Sequence, residues 1–159
     1  DDLSRGLGDV YKRQILEQAQ ELFSNRPDKN KRSLDTNDFD VSFVRGLNLE
    51  DGSATLTEFT AGIIGDSLND LFENFDNQIK NIFLCGGGRK NDFLIKKIKS
   101  YLSKDINIEL IDKFKIDGDF IESQAFAFLA IRTLKNLPIS FPNTTGCKKP
   151  CIGGKIIES

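Results

Sequence analysis

Residues 81–94, "NIFLCGGGRKNDFL", decide the fold: an apolar run stops on Gly86, Gly87 and Gly88, and a second apolar rhythm starts after a polar step. A short run such as Ile82, Phe83 and Leu84, closed off by glycine, predicts a buried strand over 81–85. Beyond it, Phe93, Leu94, Ile98, Tyr101 and Leu102 recur at helical spacing, with Lys96, Lys97 and Lys99 on the wet side, which predicts a helix over about 91–103. A strand that ends in glycines and feeds a helix gathers free backbone N–H groups at the positive end of the helix dipole. Glycine also lets the main chain approach a ligand with no Cβ between them, and it permits positive φ. The spacing fits neither standard phosphate loop: G-x-x-x-x-G-K-[ST] is absent, and "GGGRKN" lacks G-x-G-x-x-G. On chemistry alone, a ligand-contacting turn and a plain tight corner stay equally open.

The flanking segments extend the pattern. Leu56, Phe59, Ile63, Ile64, Leu68, Leu71 and Phe72 form a stripe at three- and four-residue steps, a helix opening at Ser53 with Asp51 or Ser53 as its cap. Gly62 and Gly65 inside it cost about 1 kcal/mol each against alanine, a cost that close packing onto a sheet would offset. Downstream, "INIELI" at 106–111 predicts a second strand. A polar loop then leads to a helix over about 120–136, with Ala125, Phe126, Phe128, Leu129 and Leu134 for burial and Pro138 as its stop. A short terminal strand is predicted around 151–157. Upstream, Ile15, Leu16, Ala19, Leu22 and Phe23 predict a helix over about 15–24, the polar stretch 25–38 reads as a loop, and 39–49 as a short turn or helix. The order helix, strand, helix, strand, helix implies an α/β fold of parallel strands with crossover helices. Two or three strands are few for such helices, so the sequence reads like half of a sheet.

Bulk properties exclude several classes. The chain has 159 residues, 22 Lys and Arg against 24 Asp and Glu, and a net charge of −2. That balance gives no electrostatic reason to expect nucleic acid or an acidic membrane surface as a partner. No apolar run reaches the about 20 residues of a membrane helix. Cys85, Cys147 and Cys151 are an odd set with no signal peptide, which predicts a reduced, cytoplasmic protein. With no histidine present, the lone C-x3-C predicts no metal site, and imidazole-based catalysis is excluded. The chain also has no methionine, and "SRGLGDVYKRQ" at 4–14 has no hydrophobic period. Residues 1–14 therefore read as a non-native leader derived from a translated library adapter, with a short polar lead-in as the other reading.

Glu122 is the remaining candidate. It falls in the first turn of an apolar helix, where the dipole favours a carboxylate, so capping is one reading. The other is a ligand-facing carboxylate near the carboxyl ends of the strands. Asp117 and Asp119 around Gly118 suggest a turn without the longer ligand pattern of a calcium loop.

The segments "RSLDTNDFD", "GSATLTEFTAGII", "IFLCGGGRKNDFL" and "DFIESQAFAFLAIRTLKNLPISFPNTTGCKKPCIGGKI", in this order, resemble the C-terminal part of the anhydro-N-acetylmuramic acid kinase family over about 15–157. That family belongs to the superfamily of sugar kinases, heat-shock chaperones and actin. The resemblance implies an incomplete ribonuclease-H-like (actin-like ATPase) lobe, with 15–159 as the C-terminal part of the second lobe and an N-terminal portion missing. It implies an enzyme that uses ATP with Mg2+ and water to open the 1,6-anhydro ring of anhydro-N-acetylmuramic acid and phosphorylate its 6-hydroxyl, in cell-wall recycling. Gly86, Gly87 and Gly88 then match a turn against the adenosine part of ATP, and Asn91 opens the helix behind it. Glu122 matches a glutamate expected to face the sugar. The general-base aspartate would precede everything present here, so no catalytic residue is assigned and this chain alone is expected to be inactive. Partners would be the amino sugar and ATP, with no nucleic acid and no membrane; the full-length protein could pair as a homodimer. Arg89 and Lys90 depart from the smaller or imidazole residues frequent in the family. Another sugar or acetate-type kinase lobe, or a non-catalytic nucleotide-binding module, are the alternatives.

Overall fold

The structure is a computed structural model that describes residues 2–25, 36–74 and 79–157. Its contacts divide the chain into two compact units, one of Asp1–Ile82 and Gly88–Ile108, the other of Phe83–Gly87 and Glu109–Ser159.

The first unit is built of three helices, α1 (Asp2–Ser24), α2 (Leu49–Asn74) and α3 (Asp92–Tyr101), with α2 packed against both others. α2 starts four residues earlier than Ser53 because Asn48 caps it: Asn48 Oδ1 accepts from the Asp51 N–H at 2.8 Å and its amide donates to the Asp51 carboxylate at 2.9 Å. Neither Asp51 nor Ser53 is the cap. The buried face of α2 is Gly52, Thr55, Phe59, Ala61, Gly62, Gly65 and Phe72, mostly small residues. Leu56, Ile63, Ile64 and Leu68 are half-buried, and Leu71 is exposed.

The two glycines do serve close packing, but against helices rather than a sheet. A Cβ on Gly65 would strike the Tyr101 side chain, and one on Gly62 would strike Gln20 and approach Tyr101. Tyr101 fastens all three helices, since Gln20 donates to its hydroxyl at 3.1 Å and Asn69 to its carbonyl at 3.0 Å.

α1 continues through 4–14, the stretch without hydrophobic period. Charge pairing is available there instead: Lys12 reaches Asp51 at 2.8 Å and Asp9 at 3.0 Å. Residues 26–35 of the expected loop lie outside the described residues; Thr36–Asp38 and Ser42–Val44 are 3₁₀ turns. Phe39 stacks on Phe23 with centroids 5.4 Å apart, and Phe43 tilts onto Phe59 at 5.0 Å.

Two strands, β1 (Asn81–Leu84) and β2 (Asn107–Leu110), form a parallel two-stranded sheet, with α3 as the crossover that parallel strands require. The α/β alternation is therefore as the periodicity predicts. Strand burial is not: β1 alternates exposed and half-buried residues, and Ile108 is the buried residue of β2. A sheet of two strands has no neighbour on its outer sides to bury them. On α3, Ile98 is buried and Phe93 is exposed, while Lys97 is half-buried and pairs with Glu58 at 2.7 Å.

The second unit holds the outer halves of both strands, α4 (Ile121–Leu134) and the short α5 (Pro142–Thr145). α4 ends on Lys135 and a left-handed Asn136 (φ 52°), just ahead of Pro138. The burial expected along α4 is absent: none of its residues is buried, and Phe126 is 64% exposed, Phe128 58% and Leu134 63%. A helix apolar on all sides needs cover on all sides, and this unit supplies too little secondary structure to give it. The terminal strand over 151–157 reduces to one antiparallel bridge between Ser140 and Cys151. Gly154, at φ +84°, breaks the extended backbone just beyond it. Among the described residues, no helix is long and apolar enough to cross a membrane.

Candidate functional site

The glycine turn is built differently at each of its three positions. Gly86 sits at φ +77°, where a side chain would be strained, and donates its N–H to the Gly118 carbonyl at 2.8 Å. Its amide is thus engaged, contrary to the picture of a row of free N–H groups. Gly87 lies in open space and needs no left-handed backbone; a Cβ on Gly88 would meet only Leu94 at an ordinary 3.7 Å. Gly87–Lys90 forms a 3₁₀ turn, so the chain does not pass straight from glycines into α3. The opening N–H groups of such a turn have no partner within it. Among the described residues, no hydrogen bond engages the Gly87 or Gly88 N–H.

Asn91 closes the turn as the cap of α3: its side chain accepts from the Leu94 N–H at 3.0 Å, and its own N–H donates to the Gly88 carbonyl at 3.1 Å. It does open the helix, and its side-chain oxygen is engaged in doing so. Arg89 is buried to 7% exposure, which no pattern in the sequence signals. Gly86 and Gly87 belong to the second unit, Gly88 and Asn91 to the first.

Gly118 owes its place to the turn that holds it. Asp117 Oδ1 accepts from the Asp119 N–H at 2.9 Å, and the Asp117 carbonyl accepts from the Phe120 N–H at 3.1 Å. Asp112 adds a long contact from the Gly118 N–H, 3.4 Å. These bonds account for Asp117 and Asp119 as turn residues, as their spacing predicts. Phe83 of β1 meets Phe114 edge-on with centroids 4.9 Å apart, and Lys113 pairs with Glu109 at 2.6 Å. The ring pair links β1 to the turn after β2, near the carboxyl ends of the strands, where open α/β sheets keep ligands.

Glu122 stands in the first turn of α4, four residues past Gly118, exposed. Phe120 is the cap residue of that helix and makes no side-chain cap bond. No hydrogen bond or ion pair engages the Glu122 carboxylate among the described residues. Its place in the first turn of α4 suits the helix dipole, so the capping-type reading and the ligand-facing one both stand.

Elsewhere, a cleft of about 430 Å³ in the first unit is lined by Tyr11, Phe23, Phe39, Phe43 and Phe59 and includes neither the glycines nor Glu122. Among the described residues, no group of three or more Cys, Asp or Glu could hold a metal ion.

Comparison with known proteins identifies relatives of the chain. A family model described as "Anhydro-N-acetylmuramic acid kinase" matches residues 32–159. A curated protein of that name from Pelagibacter ubique is 50% identical over 145 residues, covering 91% of this chain and 39% of its own length. One from Zymomonas mobilis is 41% identical over 138 residues (87% of this chain, 35% of its own), and one from Mesorhizobium japonicum 36% over 165 residues (96% and 42%). The chain thus spans about two fifths of the length of these relatives.

Proposed function

The chain belongs to the anhydro-N-acetylmuramic acid kinase family, and from that membership we propose that it contributes the adenosine-side turn and a sugar-facing carboxylate to an ATP-dependent kinase acting on 1,6-anhydro-N-acetylmuramic acid. The observation that carries the reading is the bare backbone at Gly87 and Gly88, at the carboxyl end of β1. Nothing stands within 4 Å of the place a Gly87 side chain would take, and among the described residues no hydrogen bond engages the Gly87 or Gly88 N–H. The bond from the Gly86 N–H to the Gly118 carbonyl fixes this turn.

In this reading the chain is part of a ribonuclease-H-like second lobe. ATP would supply the phosphoryl group and Mg2+ would offset its charge, with no residue of this chain assigned to hold the metal. Water adds at the anomeric carbon, the bond from that carbon to the bridging oxygen breaks, and the oxygen left on carbon 6 takes the phosphoryl group as ADP departs. What this chain's residues do is bind and orient. Gly86, Gly87 and Gly88 receive the adenosine face, Asn91 holds the turn by capping α3, and Glu122 accepts hydrogen bonds from sugar hydroxyls. No residue of this chain is assigned the general-base role, and the chain by itself is expected to have no activity. The amino-sugar product would return to metabolism in the cytoplasm.

The test is the full-length protein incubated with ATP, Mg2+ and the anhydro sugar. Formation of N-acetylmuramic acid 6-phosphate supports the reading. Phosphorylation of a different sugar or of acetate, with none of the anhydro sugar, replaces it with another kinase. ATP binding without any transfer replaces it with a nucleotide-binding module.

A further inference from the structure

The second unit contains a pair of thiols that the kinase reading leaves unused. Cys147 and Cys151 stand on the loop after α5, and the fold brings them to one place. The Cys151 N–H donates to the Ser140 carbonyl at 3.0 Å, and the Cys151 carbonyl accepts from the N–H of Ile139 at 2.9 Å. Gly146, left-handed at φ 68° after α5, turns the chain back toward the same Ser140. The Ser140 hydroxyl then reaches the Cys147 sulfur at 3.7 Å and also contacts the Thr145 hydroxyl. The Thr145 hydroxyl and the Cys151 thiol are further neighbours that favour the charged form of the same sulfur. The Cys151 S–H donates to the Lys149 carbonyl at 2.9 Å. Both cysteines are free and half-buried. Donors converging on a sulfur favour its thiolate, the form that attacks disulfides.

The geometry points to Cys147 and Cys151 as a reversible dithiol–disulfide pair, with Cys147 attacking an external small-molecule disulfide and Cys151 resolving the product. In the first step the Cys147 thiolate forms a bond to one sulfur of the external disulfide, whose S–S bond breaks and whose other sulfur leaves and takes a proton. In the second, the Cys151 thiolate attacks the Cys147 sulfur and expels the remaining external thiol, which is protonated in turn. Two protein thiols are oxidised and the external disulfide is reduced to two thiols, so electrons and protons balance. The directions of titration agree with these roles. The Thr145 hydroxyl's hydrogen bond holds Cys147 below the ordinary thiol range, while burial, then the neighbouring Cys147 charge, pushes Cys151 up.

Lys148 and Lys149 make the pair easy to read. Trypsin cuts after Lys148, so the cysteines fall on separate peptides, 136–148 and 149–155, unless a disulfide joins them. Full-length protein is exposed to oxidised glutathione, natively and in urea, then digested without reductant. The expected result is the joined peptide pair, lighter than the sum by two hydrogens, reversed by dithiothreitol and formed faster from the native protein than from the unfolded one. Cys151→Ser should accumulate glutathione on Cys147, and Cys147→Ser should be modified at Cys151 about tenfold more slowly. Absence of the joined pair, equal rates in urea, or equal modification in the two variants would each overturn the assignment.

Discussion

The N–H of Gly86 donates to the carbonyl of Gly118 at 2.8 Å, so the end of β1 is tied to the turn that leads into α4. Because Gly86 holds φ +77°, the bond depends on a backbone conformation that glycine adopts at little cost. Gly87 and Gly88 carry no such requirement, and their lack of side chains has no internal explanation in packing. The triplet thus combines one conformational glycine with two that expose bare main chain.

That division gives a test of corner against ligand turn. Gly86→Ala should cost about 1–2 kcal/mol of stability, the strain of a side chain in the left-handed region. Gly87→Val should leave stability within about 0.5 kcal/mol, as for surface changes away from special geometry. If the turn receives adenosine, Gly87→Val should nonetheless weaken ATP binding by about tenfold or more. Urea midpoints and titration calorimetry on the full-length protein separate the two; unchanged ATP affinity in Gly87→Val would leave the triplet a corner.

Asn91 can be assigned by the same split. Asn91→Ala removes the bond to the Leu94 N–H and should cost about 1 kcal/mol, which Asn91→Asp should largely restore. ATP affinity should fall only as far as the turn loosens. An affinity loss that Asp does not rescue, with stability restored, would show a direct contact between the Asn91 amide and nucleotide.

What the sequence made legible follows from range. The strand, the glycines and α3 are encoded within about twenty neighbouring residues, by period and by φ preference, and all three are where those signals put them. The buried ridge of α2 was hidden because hydropathy does not register Gly62 and Gly65, whose value is the Tyr101 and Gln20 side chains they admit. Phe126 and Phe128 signal burial correctly as chemistry, but what would cover them is set by tertiary structure that local pattern cannot supply. Ile156 and Ile157 have strand propensity, yet the left-handed Gly154 before them interrupts the pairing begun at Cys151. At the candidate site, the left-handed turn at Gly86 follows from the glycine signal, whereas the burial of Arg89 had no local signal.

Gly65→Ala tests the helix packing of the first unit. Its Cβ would meet the base of the Tyr101 side chain, which is too close to the backbone to swing away. The expected cost is about 1–3 kcal/mol despite the gain in helix propensity. Gly52→Ala, with neighbours at 3.9 and 4.0 Å, should instead be neutral or stabilising by up to about 1 kcal/mol. Equal denaturation midpoints for the two variants would contradict the close approach of α2 and α3.

The exposed side chains of α4 predict association of the 159-residue chain when it is made alone. Phe126, Phe128, Ile131 and Leu134 are each more than half exposed, a larger apolar surface than single scattered residues produce. Light scattering should report species above the monomer mass, and a dye that fluoresces on apolar surface should bind. Phe126→Gln with Phe128→Gln should lower both signals. A sharp, monomeric wild-type chain with no dye binding would show that these side chains are covered in solution.

The two loop thiols should titrate in opposite directions. Cys147 is held down chiefly by the Thr145 hydroxyl's hydrogen bond, so its thiolate persists to lower pH than an ordinary thiol's. Cys151 is pushed up chiefly by burial, so its thiolate requires a higher pH. Since only the thiolate is alkylated, the rate for Cys147 should rise at lower pH than that of an ordinary thiol, and the rate for Cys151 at higher pH. Pulse alkylation across pH, read on peptides 136–148 and 149–155, follows each sulfur separately. Thr145→Val removes the leading donor and should move the Cys147 curve upward. Superimposable curves for the two cysteines, or a Cys147 curve indifferent to Thr145→Val, would contradict the hydrogen-bonded arrangement around Cys147.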